Sequence, residues 1–241
     1  MPQRRFGYRR SFVNDYFPPG LKWLIIVNVG VFVLMTLIPP LSDVMRTLFS
    51  LSAEGVVHNL FVWQLFTYMF LHGGIMHLLF NMLTLWFFGT QLERDWGTRQ
   101  FLKYYFLCGI AAAVCVVIAN LLTRDNATIG ASGAIFGVLV AFGVLYPNQT
   151  VLMNFLFPIK AKYMVMIYAG IELLMTFTPS NGISTIAHLG GMAFGYIYLK
   201  GRLPRVKMPE IGAAYKQWKL QRAKKKFQVY MRKHGNGPWV N

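Results

Sequence analysis

Apolar residues gather into six runs separated by short polar or basic stretches. The spacing predicts six helices over Leu21–Ile38, Trp63–Gly89, Phe101–Leu122, Ser132–Tyr146, Tyr163–Phe177 and Ser184–Leu199. Runs this apolar read as membrane spans. Backbone groups in lipid must bond within their own segment, so the expected class is an all-α membrane protein, a six-transmembrane-helix bundle. Pro39 and Pro40 close the first run and open a long connection to about Leu60. Its apolar stretches, Val44–Leu51 and Val56–Val62, suit the membrane interface. No internal repeat is visible.

Several runs contain polar groups that lipid rejects: His77 and Asn81 in the second, Ser132 in the fourth, Glu172 in the fifth and His188 in the sixth. Polar side chains in a span are costly and face a bundle interior or a wet cavity, which makes each one a candidate site residue. Glu172 reads instead as a snorkelling acid or a local hydrogen-bonding group. His72, beside Gly73 and Gly74, reads as structural.

Composition agrees with the span reading. The chain has 241 residues, 55% hydrophobic and 13% charged, with mean hydropathy +0.43; an ordinary soluble domain is excluded. The net charge of +16 mostly reports orientation. Five Lys and Arg precede or open the first span (Arg4, Arg5, Arg9, Arg10, Lys22), and three lie between the second and third (Arg94, Arg99, Lys103). Lys160 and Lys162 lie between the fourth and fifth, and twelve more follow in the tail, whereas the alternate connections hold only Arg46 and Arg124. This asymmetry predicts that both termini are cytoplasmic. The expected organisation is a basic cytoplasmic segment over 1–20, a membrane domain over 21–200 and a basic cytoplasmic tail over 201–241.

In that tail Lys216, Lys219, Lys224, Lys225 and Lys226 interleave with Tyr215, Trp218 and Phe227, a mix suited to anionic lipid. No motif supports nucleic-acid binding. The first span has no small-residue cleavage site after it and is expected to stay in place as a helix. Cys108 and Cys115 read as small packing residues, not a disulfide or metal pair. No His-Glu-x-x-His run occurs, so neither a metal nor a cofactor is expected.

The fourth run is only fifteen residues, roughly 22 Å of helix against a hydrocarbon core of about 30 Å. A helix starting at the cytoplasmic face therefore ends short of the far side. Ser132 then sits at its top, below the headgroups, preceded by irregular backbone over 129–131. Such backbone is tolerated only inside protein or along a wet cavity. A helix N-terminus favours developing negative charge, which suits an oxyanion.

Alone, Gly130-Ala131-Ser132-Gly133 fits packing or capping equally well, because Gly133, Gly137 and Ala141 form a small-residue ridge. His188 changes the balance. Gly191 and Gly195 share its helix face and let the sixth span press against that ridge, which carries His188 towards Ser132 as a base towards a nucleophile. His77 and Asn81, at i and i+4, also share a face; oxyanion binding and a plain interhelical hydrogen bond both remain open for them.

The ordered set His77-x-x-x-Asn81, Gly130-Ala131-Ser132-Gly133 and Ala187-His188-x-x-Gly191-x-x-x-Gly195, with Glu93-x-x-x-Gly97, resembles the rhomboid intramembrane serine proteases in their six-helix prokaryotic form. The likeness runs from about Leu21 to Leu199. It implies a Ser132 nucleophile and a His188 general base with no acidic third member, and an oxyanion held by His77, Asn81 and the Ser132 backbone N–H. Implied partners are the lipid bilayer and membrane-anchored proteins cut within or beside a transmembrane helix. A bacterial inner membrane is the implied location, and the external loop and fifth span are the implied gates.

Two positions depart from the pattern. Trp63-Gln64 stands where the family usually has Trp-Arg, and Phe136 stands where tyrosine is frequent. The alternative is a proteolytically silent rhomboid-like protein that binds membrane clients. A transporter finds no support, because no inverted repeat is present.

Overall fold

The computed structural model describes residues 17–123, 127–153, 156–177, 182–202 and 222. Arg4, Arg5, Arg9, Arg10 and Arg124, and the tail lysines from Lys207 to Lys233, lie outside the described residues. The chain divides into two compact units, residues 1–200 and 201–241, and the helices that position the site lie in the first.

The first run forms α1 (Pro19–Leu37), with a proline at its first position where the missing N–H costs nothing. Pro39 breaks it, and the connection to Leu60 has its own structure: α2 (Pro39–Phe49), then a single π-turn over Glu54–His58. α2 exposes Val44 and Leu48, in keeping with the apolar stretch read there.

The predicted second helix is in fact split. A short α3 (Gln64–Thr67) passes through a 3-10 turn over Tyr68–Phe70 into irregular backbone. A new helix, α4 (Ile75–Trp96), starts only after Gly73 and Gly74 and runs past Gly89. The glycine pair costs helix propensity where the run is otherwise apolar, and hydropathy alone does not register that cost.

α5 (Thr98–Thr123), α6 (Ser132–Leu145), α7 (Ala161–Met175) and α8 (Gly182–Arg202) follow. Between α6 and α7 lies a two-stranded antiparallel hairpin, β1 (Thr150–Met153) and β2 (Phe157–Lys160), with Val151 opposite Ile159. The all-α reading is corrected there: the protein is mostly helical. β-branched and aromatic residues in a connection too short for another helix take the extended form.

Among the described residues three helices, α1, α4 and α5, are long and apolar enough to cross a membrane; α6, with 14 residues, is an apolar but shorter helix. Polarity runs inside out. Trp23, Ile26, Val33, Phe80, Ile118, Met166 and Leu174 are exposed, whereas Asn28, Gln64, His72, Asn81, Glu93 and Asn120 are buried. Apolar surface on this scale is unsustainable in water and natural in lipid.

α6 lies at the centre, with ten of its residues buried, and packs against α4, α5 and α7. Its irregular lead-in is pinned on two sides. Leu51 and Thr128 exchange both backbone hydrogen bonds, at 2.9 and 2.8 Å, and the Gly130 N–H donates to the Tyr68 carbonyl at 2.9 Å. Tyr68 and Tyr104 donate their hydroxyls to the Gly109 and Gly137 carbonyls, at 2.7 and 2.8 Å.

The other end of the bundle rests on Glu93. Its buried carboxylate accepts from the Gly20 and Leu21 amides at 2.7 Å each, capping α1, and from the Thr98 hydroxyl at 2.6 Å. An anion against unpaired helix N–H groups gains both hydrogen bonds and the helix dipole. Gly97, with φ +78°, supplies the left-handed turn from α4 into α5. The Glu93-x-x-x-Gly97 motif thus joins three helices.

Glu93→Ala is expected to lower stability by about 2–4 kcal/mol, because three donors lose a charged acceptor at once. Reversible unfolding in mixed micelles measures it, and Glu93→Gln should fall between wild type and Ala.

Candidate active site

Ser132 is the first residue of α6, and Ala131 precedes it as the N-cap. Gly130 makes the approach possible. Its φ of +126° is open only to glycine, and a Cβ there would stand 2.9 Å from the His77 ring. The same position lies 3.8 Å from Ser132 Oγ, so His77 and Ser132 flank one Cα.

His188 arrives from α8. A Cβ on Gly191 would overlap the Gly133 carbonyl, and one on Gly137 would come within 3.3 Å of the Gly191 carbonyl. Backbone therefore meets backbone along this seam, the close approach that small residues allow between membrane helices. Cys108 packs against Gly137 and Gly195, Cys115 packs against Gly190, and both thiols are free.

At the top of the seam His188 Nε2 stands 2.7 Å from Ser132 Oγ. The Phe136 ring stacks on the imidazole, with centroids 4.2 Å apart and planes 15° apart, and the missing hydroxyl plays no part in that contact. With the serine O–H donating to Nε2, the neutral ring carries its proton on Nδ1.

Glu172 behaves differently from the snorkelling acid read from the sequence. It turns away from the exposed neighbours Ile171, Leu173 and Leu174, and its carboxylate oxygen reaches 2.9 Å from His188 Nδ1. The two atoms have the separation of a hydrogen bond but not its alignment. Depth was the signal that could have found it. Glu172 is the twelfth residue of α7, roughly 17 Å beyond the hairpin, while Ser132 lies roughly 20 Å from the same hairpin along α6. Antiparallel neighbours bring residues at matched heights together.

His77 and Asn81 both lie on α4. His77 Nδ1 accepts weakly from the Gly73 N–H at 3.5 Å, and the buried His72 sets its ring edge against His77 with centroids 5.1 Å apart. Asn81 is buried, and its Nδ2 has no protein acceptor. It lines a cavity of about 470 Å³ between α4, α6 and α7, shared with Phe136, Leu139 and Tyr168.

Gln64, in place of the expected arginine, is buried and anchors the connection between α1 and α4 with neutral groups. It donates to the Leu48 carbonyl at 3.3 Å and accepts from the Ser52 amide at 3.2 Å, while Trp63 Nε1 donates to the same carbonyl at 2.9 Å. Among the described residues no three His, Cys, Asp or Glu side chains converge as a metal site would require.

A family model described as the Rhomboid domain matches residues 60–205. RHOMBOID-like protein 4 of Arabidopsis thaliana is 34% identical over 162 residues, covering 67% of this chain and 39% of the relative. The rhomboid protein YdcA of Bacillus subtilis (strain 168) is 34% identical over 182 residues, 70% of this chain and 88% of its own length. Rhomboid protease GluP of the same bacterium is 40% identical over 134 residues, 56% of this chain and 25% of its own. The chain spans about two-fifths of the length of two of the plant relatives it matches, 39% and 40%.

The seam is testable by glycine replacement. Gly191→Ala should cost about 1–3 kcal/mol by overpacking backbone against backbone. Gly170→Ala, where nothing lies within 4 Å, should be neutral or stabilise by about 0.4–1 kcal/mol. Unfolding in mixed micelles separates the two.

Proposed function

This chain belongs to the rhomboid family, and from that premise we propose that it is an intramembrane serine endopeptidase acting on membrane-anchored proteins. It is an integral membrane protein with apolar helices of spanning length. The reading takes α1, α4, α5, α6, α7 and α8 as six spans with both termini cytoplasmic, in a bacterial inner membrane, and the basic segments 1–20 and 201–241 as flanks of the 21–200 domain. Lysine and arginine placement supports this orientation.

The observation that carries the catalytic proposal is the 2.7 Å contact between Ser132 Oγ and His188 Nε2 at a helix N-terminus. In the proposed reaction His188 removes the hydroxyl proton as Oγ attacks the peptide carbonyl. The tetrahedral oxyanion forms beside the Ser132 N–H, where unpaired helix amides favour negative charge. His77 and the unpartnered Asn81 amide supply further donors. His188 then passes the proton to the leaving amine. Water, activated by the same ring, hydrolyses the acyl-enzyme.

The substrate must present an unwound peptide bond, because in an intact helix each carbonyl is shielded by its own turn. The cavity beside Asn81 and Phe136 offers apolar walls for one side chain of that segment. In this reading the pinned backbone over 127–131 keeps water and nucleophile at a depth that lipid alone would keep dry.

Purified protein in liposomes should cleave a fluorogenic transmembrane substrate, and Ser132→Ala should reduce the rate by about 10³-fold or more. His77→Ala and Asn81→Ala should each reduce it by about 10²-fold. Equal cleavage by wild type and Ser132→Ala defeats the protease reading; absence of cleavage by wild type, with substrate still bound, favours a silent client-binding relative.

A further inference from the structure

The Ser132–His188 reading leaves one side of the imidazole without a role, and the fifth long helix fills that side with an acid. We infer that Glu172 is a positioning residue for His188, forming an acidic third member that fixes the ring's tautomer and orientation. The inference rests on the proposed protease chemistry and deepens it.

Geometry argues for it from three directions. Phe136 covers one face of the His188 ring, Ser132 meets Nε2 and the Glu172 carboxylate meets Nδ1 at 2.9 Å, so the ring is held on its face and at both nitrogens. The contact is enclosed: the two side chains are 16% and 14% exposed. The chemistry also needs an acceptor there. If Nε2 is to take the serine proton, the ring's own proton must stay on Nδ1, and that N–H needs a partner in a place without bulk water.

Glu172 is well supported in this position. It stands on a helix whose neighbouring side chains at 171, 173 and 174 face outward, and its own carbonyl accepts from the Thr176 hydroxyl at 2.8 Å, which shapes the end of α7 around it. An acid placed at mid-span and turned inward is the pattern expected of a functional group.

During attack the Ser132 O–H bond breaks, the Nε2–H bond forms, and the ring becomes an imidazolium facing a carboxylate. The carboxylate takes no proton. Its negative charge lowers the energy of the charged ring, as an opposite charge at contact distance does.

The test uses the full chain in liposomes with wild type, Glu172→Gln, Glu172→Asp and Ser132→Ala. Glu172→Gln should lower kcat by about 10- to 100-fold and leave KM within about twofold, and Glu172→Asp should retain more activity than Gln. A second measurement needs no turnover. In protein labelled with 15N at histidine, the His188 signal, assigned by its loss in His188→Gln, should report the Nδ1–H tautomer in wild type. It should report a mixture in Glu172→Leu. Unchanged kcat in Gln, a rise confined to KM, or an unchanged tautomer in Leu overturns the inference. Cleavage by Ser132→Ala at the wild-type rate overturns the protease reading instead, and the tautomer result stands apart from it.

Discussion

Two helix backbones can touch only where neither carries a side chain, and in lipid such touching is a principal source of helix–helix attraction. Hydrocarbon tails are as apolar as leucine, so burying apolar side chains gains little there and van der Waals contact decides. Gly133 and Gly137 on α6 meet Gly191 and Gly195 on α8 in that way. Ser132 precedes the first of these glycines by one residue, and His188 precedes Gly191 by three. The seam brings the start of α6 against α8, and Ser132 and His188 meet beside it at 2.7 Å.

The second constraint is the satisfaction of backbone groups. The lead-in to α6 over 127–131 is not helical, so its amides and carbonyls need partners other than their own turn. Leu51, from the connection after α2, and Tyr68, from the 3-10 turn, provide them. The long loop, which in sequence looks like an interfacial excursion, thereby becomes part of the site's support. Glu93 solves the equivalent problem at the other end, where the first amides of α1 would otherwise be orphaned. In each case a polar requirement created by the membrane is met by another part of the chain.

Around the seam the buried polar groups are unevenly satisfied. Glu93 and Gln64 have several partners each and serve as anchors. Asn81 Nδ2 has no protein acceptor, and the Glu172 carboxylate lies close to His188 without alignment. Asn28 Oδ1, both ring nitrogens of His72, the Tyr105 hydroxyl and the Asn120 amide are likewise buried without a hydrogen-bond partner.

Sequence alone determined the inventory. Hydropathy marked the apolar helices, the spacing of Gly191 and Gly195 behind His188 exposed their common face, and the fifteen residues from Ser132 to Tyr146 announced a helix too short to cross. These features are local, so a one-dimensional pattern carries them. Tertiary structure alone decided the break of the second run at Gly73 and Gly74, the hairpin between α6 and α7, the support that Gln64 lends to the loop, and the turn of Glu172 towards His188. Each of these depends on what lies across from a residue, and hydropathy counts a buried acid as misplaced until a neighbouring helix supplies the imidazole it faces.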